Sequence, residues 1–270
     1  MKKIITLALT CVLIAGMLVV ISSCAAKSGN QNETLICGIT DYEPMNFRDS
    51  SGNWTGFDTE FAKLVGDKLN MKVEFQEIEW GNKYNELESG AISCIWNGFT
   101  GNASDDGTPR IQLVDMSYSY MLNQQSVVVK AARASEFTSE AALVGKTVAA
   151  EKGSAGEAYA RDAVGDSGTV LDSTSQVSTF VDVKAGAVDF AVVDILLAQR
   201  MAGTGDYSDL TVADITLDSE VYVVGFKKGS DLKKKVNDAI KALYDDGKLM
   251  ELAKKYGLEN QLILDTAFAG

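Results

Sequence analysis

The chain has 270 residues, 46% of them apolar, and a formal charge of −12 from 37 acidic and 25 basic side chains. That acidic balance excludes a surface built for nucleic acid or anionic lipid. The absence of any histidine excludes His-based triads, histidine acid–base relays and the commonest transition-metal ligand.

In chain order, Lys2 and Lys3 give a basic start, Ile4 to Ile21 form an uncharged apolar stretch, and Ile21, Ser22 and Ser23 lead into Cys24. This is the layout of a secretory signal peptide over residues 1–23, and the small residues before a cysteine resemble the lipobox of bacterial lipoproteins. The resemblance implies that Cys24 is acylated and that the mature protein is extracytoplasmic, lipid-anchored to a bacterial cell membrane. A plain transmembrane anchor is the competing reading of the same run. Residues 24–34, rich in Ser, Gly, Asn and Gln, read as a solvated tether. Cys11 leaves with the leader, so Cys37 and Cys94 remain in the body, either as a disulfide or as two buried thiols.

The body alternates short apolar runs with helical periodicities, the signature of an α/β fold. Leu35 to Ile39 reads as a strand ending in a turn at Asp41 to Pro44. Phe57, Phe61, Leu64, Val65 and Leu69 recur at helical spacing, and Val73 and Phe75 alternate as a strand should. A short helix with Tyr84 and Leu87 inward stops at Gly90, followed by a strand from Ile92 to Trp96 and a long polar loop from Gly98 to Pro109. Strands are expected at Ser126 to Lys130, Thr147 to Ala150, Phe190 to Val193 and Val221 to Phe226. Helices are expected after Ser154, over Gln176 to Ala185, after Asp194, and twice near the carboxyl terminus, which is expected to be helical.

Ligands of open parallel sheets lie beyond the carboxyl ends of the strands. Tyr42, Trp80, Gly98 with Thr100, Ser154 with Ala155, and Asp194 all fall there, and Arg110 closes the long loop. This set suits a zwitterion. Arg110 offers a planar fork and the helix start at Ala155 and Gly156 offers amides for a carboxylate. Asp194, with Thr100 and the Gly98 carbonyl, suits an ammonium group. Tyr42 and Trp80 would sandwich the apolar part of the ligand. Each residue has a duller role available: a surface arginine, a core tryptophan, an aspartate capping the next helix. It is their common edge that joins them.

The run Asp41, Tyr42, Glu43, Pro44, Met45 and Phe47, followed by Gly56, Phe57 and Asp58, resembles the opening of the extracytoplasmic solute-binding proteins of polar amino-acid ABC transporters, family 3. So do Ile95 to Thr100 with Arg110 and Ser117 to Tyr120, and Gly145 to Thr147 with Gly153, Ser154 and Gly186 to Asp194. The resemblance implies a two-lobe periplasmic-binding-protein fold of type II with the ligand in the interlobe cleft. Lobe 1 would comprise residues 35–121 and 222–270, and lobe 2 residues 122–221. It also implies carboxylate binding by Arg110, ammonium binding by Asp194, hydroxyl and amide contacts from Ser154 and Ala155, and stacking by Tyr42 and Trp80. About five extra residues around Ser104 to Gly107 depart from the family pattern, and Asp105 and Asp106 there are too few for a calcium loop. Ile39 stands where members taking cationic amino acids carry an acid, which counts against arginine or lysine as cargo.

The expectation is a monomeric binding protein, not an enzyme, that captures a free L-amino acid by hinge closure and passes it to an ABC permease. No cofactor, metal or nucleic acid is expected. The rival readings are a dehydratase-like enzyme using Glu157 or Asp194 as acid, and a ligand sensor on the same scaffold.

Overall fold

The computed structural model describes residues 33–268; the leader, Cys24 and the tether through residue 32 lie outside the described residues. The first half of the fold begins with β1 (Thr34–Ile39), α1 (Phe57–Leu69), β2 (Lys72–Glu77), α2 (Lys83–Ser89) and β3 (Cys94–Thr100). After a four-residue helix α3 (Arg110–Leu113), the long strand β4 (Ser119–Lys130) leads into β5 (Thr147–Glu151), α4 (Ala155–Val164), β6 (Thr169–Ser173), α5 (Gln176–Ala185), β7 (Phe190–Asp194) and α6 (Ile195–Met201). The chain returns through β8 (Leu210–Val212) and β9 (Ser219–Phe226), then adds α7 (Leu232–Asp245), α8 (Lys248–Tyr256) and β10 (Leu262–Asp265).

The main strands run in the order β6-β5-β7-β4-β9-β3-β1-β2. At one end β1 pairs in parallel with β2 and β3, and at the other β5 pairs in parallel with β6 and β7. Each parallel wing is closed by an antiparallel strand, β9 against β3 and β4 against β7. The two closing strands pair with each other, Met121 to Gln124 lying opposite Tyr222 to Ser219. The wings are therefore joined by one outgoing and one returning strand.

Strands covered on both faces explain the continuous apolar runs. Val128 and Ala149 face a large core shared with Phe57, Phe61, Trp96 and Tyr222, while Val127, Val129, Val148 and Ala150 face a second core with Phe137, Phe190 and Val164. In α1 the expected period holds: Phe57, Phe61, Ala62 and Val65 are buried, and the helix ends at Asn70 in the left-handed region. Ser175 caps α5 through a reciprocal pair with Ser178.

Three expectations are corrected. The third strand does not stop at Trp96; it continues to Thr100 with every residue buried. Gly98 permits this: its φ is +55°, and a Cβ there would lie 2.7 Å from the Tyr42 ring and 3.0 Å from Tyr222. The loop after it carries a small hairpin, Ser104–Asp105 against Thr108–Pro109. The chain does not end in helix either, because β10 pairs with β4. Cys37 and Cys94 sit opposite each other on β1 and β3 as free, buried thiols with sulfurs 3.7 Å apart.

Phe61 is fully buried, with Trp96 and Tyr120 edge-on at 5.1 and 5.3 Å. Truncating such a residue removes its burial and leaves a void. Phe61→Ala should lower unfolding free energy by about 3–5 kcal/mol in urea titration; a loss under about 1 kcal/mol would contradict the packing described.

Candidate functional site

A nearly closed cavity of about 10 Å³ is lined by Trp80, Asn97, Gly98, Thr100, Arg110, Gln125, Glu151, Ser154, Ala155, Gln176 and Asp194. That is room for about one water molecule, so the polar character of the lining, and not its size, marks the site. Strand ends supply most of the lining: Glu151 is the last residue of β5, Asp194 the last of β7, and Gly98 and Thr100 close β3. Helix starts add Arg110 opening α3, Ala155 opening α4 and Gln176 opening α5, and Gln125 comes from the middle of β4.

Every expected site residue except Tyr42 lines this cavity. The Tyr42 ring is 1% exposed and packs behind Gly98, and its hydroxyl hydrogen-bonds that of Tyr222 at 2.6 Å. The expected sandwich of Tyr42 and Trp80 is therefore not formed. Trp80 lies edge-on to Phe99 at 6.1 Å, on a single 3-10 turn. Gly98 gives its N–H to Asp58 at 2.8 Å, which fixes the backbone that carries the site. Burial pushes Asp58 up to about 7 against the pull of that N–H.

The extra loop does not carry Arg110 away. Its guanidinium is 1% exposed and 4.8 Å above the Phe99 ring. Asp105 of the small hairpin accepts from its Nε at 3.1 Å and its Nη2 at 2.8 Å, while Nη1 donates to Thr100 O at 3.2 Å and Nη2 to Gly153 O at 3.2 Å. The Tyr84 hydroxyl also donates to Asp105. Although burial works against it, the charges of Arg110 and Lys83 hold Asp105 below the usual carboxylate range. Asp105 is thus committed to Arg110 and Lys83, and among the described residues no group of three or more acids or cysteines is arranged to hold a metal ion.

On the other wall the order is reversed, with carboxylates outnumbering cations. Asp194 stands at the N-cap position of α6 but makes no side-chain cap. Instead it accepts from Gln125 Nε2 at 2.9 Å and from the side-chain amides of Asn123 and Gln176, and its own N–H donates to Gln176 Oε1 at 2.9 Å. Glu220, just before the apolar part of β9, accepts from Asn123 and Gln125, each at 2.9 Å, and from the Thr100 hydroxyl at 3.2 Å. Glu151 is 2% exposed, and its Oε1 has no hydrogen-bond partner. Among the described residues none of these three carboxylates has a salt-bridge partner.

Burial raises the Asp194 carboxyl against its amide partners. Burial and then the neighbouring Asp194 charge push Glu151 up to about 8 and Glu220 up to about 7. Lys83, 2% exposed, is pushed down to about 8 by burial and by Arg110, and gives its Nζ proton to Gly153 O at 2.7 Å. Ser154 caps α4 by accepting the Glu157 N–H at 2.9 Å. The first-turn amides of Ala155 and Gly156 have no intrahelical acceptor. Glu157 accepts from the Gly153 N–H and pairs with Arg161.

Sequence reading missed Glu151, Glu220, Lys83 and the amide trio Asn123, Gln125 and Gln176. An acid ending the apolar run Thr147 to Ala150 was the available signal for Glu151. Alternation along β4 was the signal for Gln125, since it falls two residues from Asn123 on the same face.

The bacterial extracellular solute-binding proteins of family 3 match residues 35–259 of this chain. The arginine-binding extracellular protein ArtP of Bacillus subtilis (strain 168) is 27% identical over 239 residues, covering 87% of this chain and 89% of that one. Among solved structures, an ancestral arginine-binding protein bound to arginine aligns with a TM-score of 0.77 at 27% identity, covering 84% of this chain and 99% of that one. An ABC uptake transporter substrate-binding protein from Streptococcus pneumoniae with bound histidine aligns at 0.71 and 31% identity, covering 83% and 92%. The relatives are amino-acid-binding proteins of ABC transporters, and their fold is the two-lobe type II arrangement expected from the resemblance. The chain belongs to the family 3 bacterial extracellular solute-binding proteins.

Proposed function

We propose that this protein is a lipid-anchored receptor, acylated at Cys24, that captures a free L-amino acid between two lobes and delivers it to an ABC permease. The lobes divide where β4 and β9 pair, residues 35–121 with 222–270 forming one and residues 122–221 the other. The observation that carries the reading is that one small cavity is lined by Asp194, by Arg110 and by the start of α4 at Ala155. The ligand's carboxylate is taken by the Ala155 and Gly156 amides and the charge of Arg110, whose Nη1 keeps one N–H beyond its bond to Thr100 O. Its ammonium replaces the missing cation beside Asp194. Arg110 and Thr100 belong to one proposed lobe and Asp194 and Ala155 to the other, so a ligand touching both favours the closed form. The contacts of Lys83 and Arg110 with Gly153 O cross the same gap. Binding without turnover is favoured because the similar proteins named above are amino-acid-binding proteins.

Thermal-shift screening of the mature protein against the common amino acids should give a small set of hits, since a ligand at about 100 times its Kd adds about 2.7 kcal/mol of stability. Arg110→Ala should weaken the best hit by about 2–5 kcal/mol in calorimetry, the cost typical of removing one partner from a buried charge pair. Unchanged affinity would remove Arg110 from the site.

The carboxyls also set a pH response. An acid whose folded pKa exceeds its unfolded value of about 4.3 holds its proton longer in the folded state, so the unfolded chain binds fewer protons and stability falls as pH rises. Glu151, with its folded value of about 8, acts over the window from about pH 5 to 8. Lys83 changes charge mainly above that window. The ligand-free protein should therefore lose more melting temperature between pH 5 and pH 8 than Glu151→Gln does. Parallel pH curves for the two proteins would contradict the burial of an unpaired Glu151.

A further inference from the structure

We infer that the cargo carries a second cation at the end of its side chain, and that Glu151 is the residue that selects it. This rests on the amino-acid reading above and deepens it. The argument starts from charge. Asp194 and Glu151 are the carboxylates that line the cavity, Glu220 stands beside them sharing the amide donors of Asp194, and among the described residues none of the three has a salt bridge. Arg110 is already engaged by Asp105, and Lys83 by Gly153 O with Asp105 3.6 Å away. The only α-ammonium of a neutral amino acid would be consumed at Asp194, where Glu220 shares the same amide donors.

Glu151 would then stay buried and unmatched. Asp194 and Glu220 each have amide hydrogen bonds to offset burial, whereas Glu151 Oε1 has no donor at all. A buried polar atom without a partner costs about 1–3 kcal/mol and more if charged, so a position that keeps one is explained by a partner brought from outside. Glutamine would fill the same space with donors of its own, so an acid here specifies charge. A metal ion is not that partner, since no metal-holding cluster exists among the described residues. A guanidinium or ammonium on a flexible side chain fits.

Ile39, read from the sequence as counting against a cationic cargo, does not bear on the cavity. It is fully buried in the large core and absent from the lining. The selecting charge comes instead from the opposite wing, at the carboxyl end of β5.

The test compares isosteres by calorimetry on the mature protein. L-Arginine and L-citrulline differ chiefly in side-chain charge, as do L-lysine and L-glutamine in rough length. Wild type should bind the better of arginine and lysine at least tenfold more tightly than its neutral counterpart, and Glu151→Gln should reduce that preference by tenfold or more while retaining the neutral ligand. Equal affinity of wild type for charged and neutral ligands would overturn the inference while leaving amino-acid capture standing. A preserved preference in Glu151→Gln would move the selecting role off Glu151. Binding of no amino acid, charged or neutral, would overturn both readings together.

Discussion

Burial of carboxylates without a matching cation is the constraint around which this molecule is arranged. Asp194 and Glu151 line a nearly closed cavity, Glu220 shares the amide donors of Asp194 beside it, and desolvation raises all three. The nearby cations do not relieve it, because Asp105 from the small hairpin engages Arg110 and draws Lys83 toward the other side. Side-chain amides do part of the work instead: Asn123 and Gln125 each divide their donors between Asp194 and Glu220. On the proposed reading, the remaining deficit is what a bound ammonium would fill.

The same strands that hold this wall join the wings. β4 pairs with β9 at Met121 to Gln124 and carries Asn123 and Gln125 into the acidic cluster, while β9 carries Glu220. On the proposed division, the crossing is both hinge and part of the site. A ligand that binds only one wall gains nothing from closure, whereas one bridging Asp194 and Arg110 shifts the population toward the closed form by its differential affinity. Asp58 supports this from behind by fixing Gly98, whose left-handed backbone lets Tyr42 and Tyr222 approach.

Much of this was legible in the sequence, for identifiable reasons. Helical spacing of Phe57, Phe61 and Val65 and the apolar runs at Leu35, Phe190 and Val221 reflect burial, which leaves a periodic trace. The edge occupied by Trp80, Thr100, Arg110, Ser154 and Asp194 followed from strand direction alone. Tyr42 misled because an aromatic after a strand reads the same whether it faces a ligand or backs a glycine. Asp105 was unreadable because its partner is fixed by a tertiary fold of an inserted hairpin. Glu151 was overlooked since a lone acid at a strand end ordinarily meets solvent, and only the covering of α4 and the opposite wing makes it a buried charge.

Proton counting on binding tests the central claim most directly. L-Arginine titrated into the mature protein at pH 7 in buffers of low and high ionisation enthalpy reports how many protons leave the complex. If a cation ionises the raised carboxyls, the measured heats differ between buffers and give net proton release. Binding with identical heats in both buffers would contradict the account, since the carboxyls would then not be waiting for a positive charge.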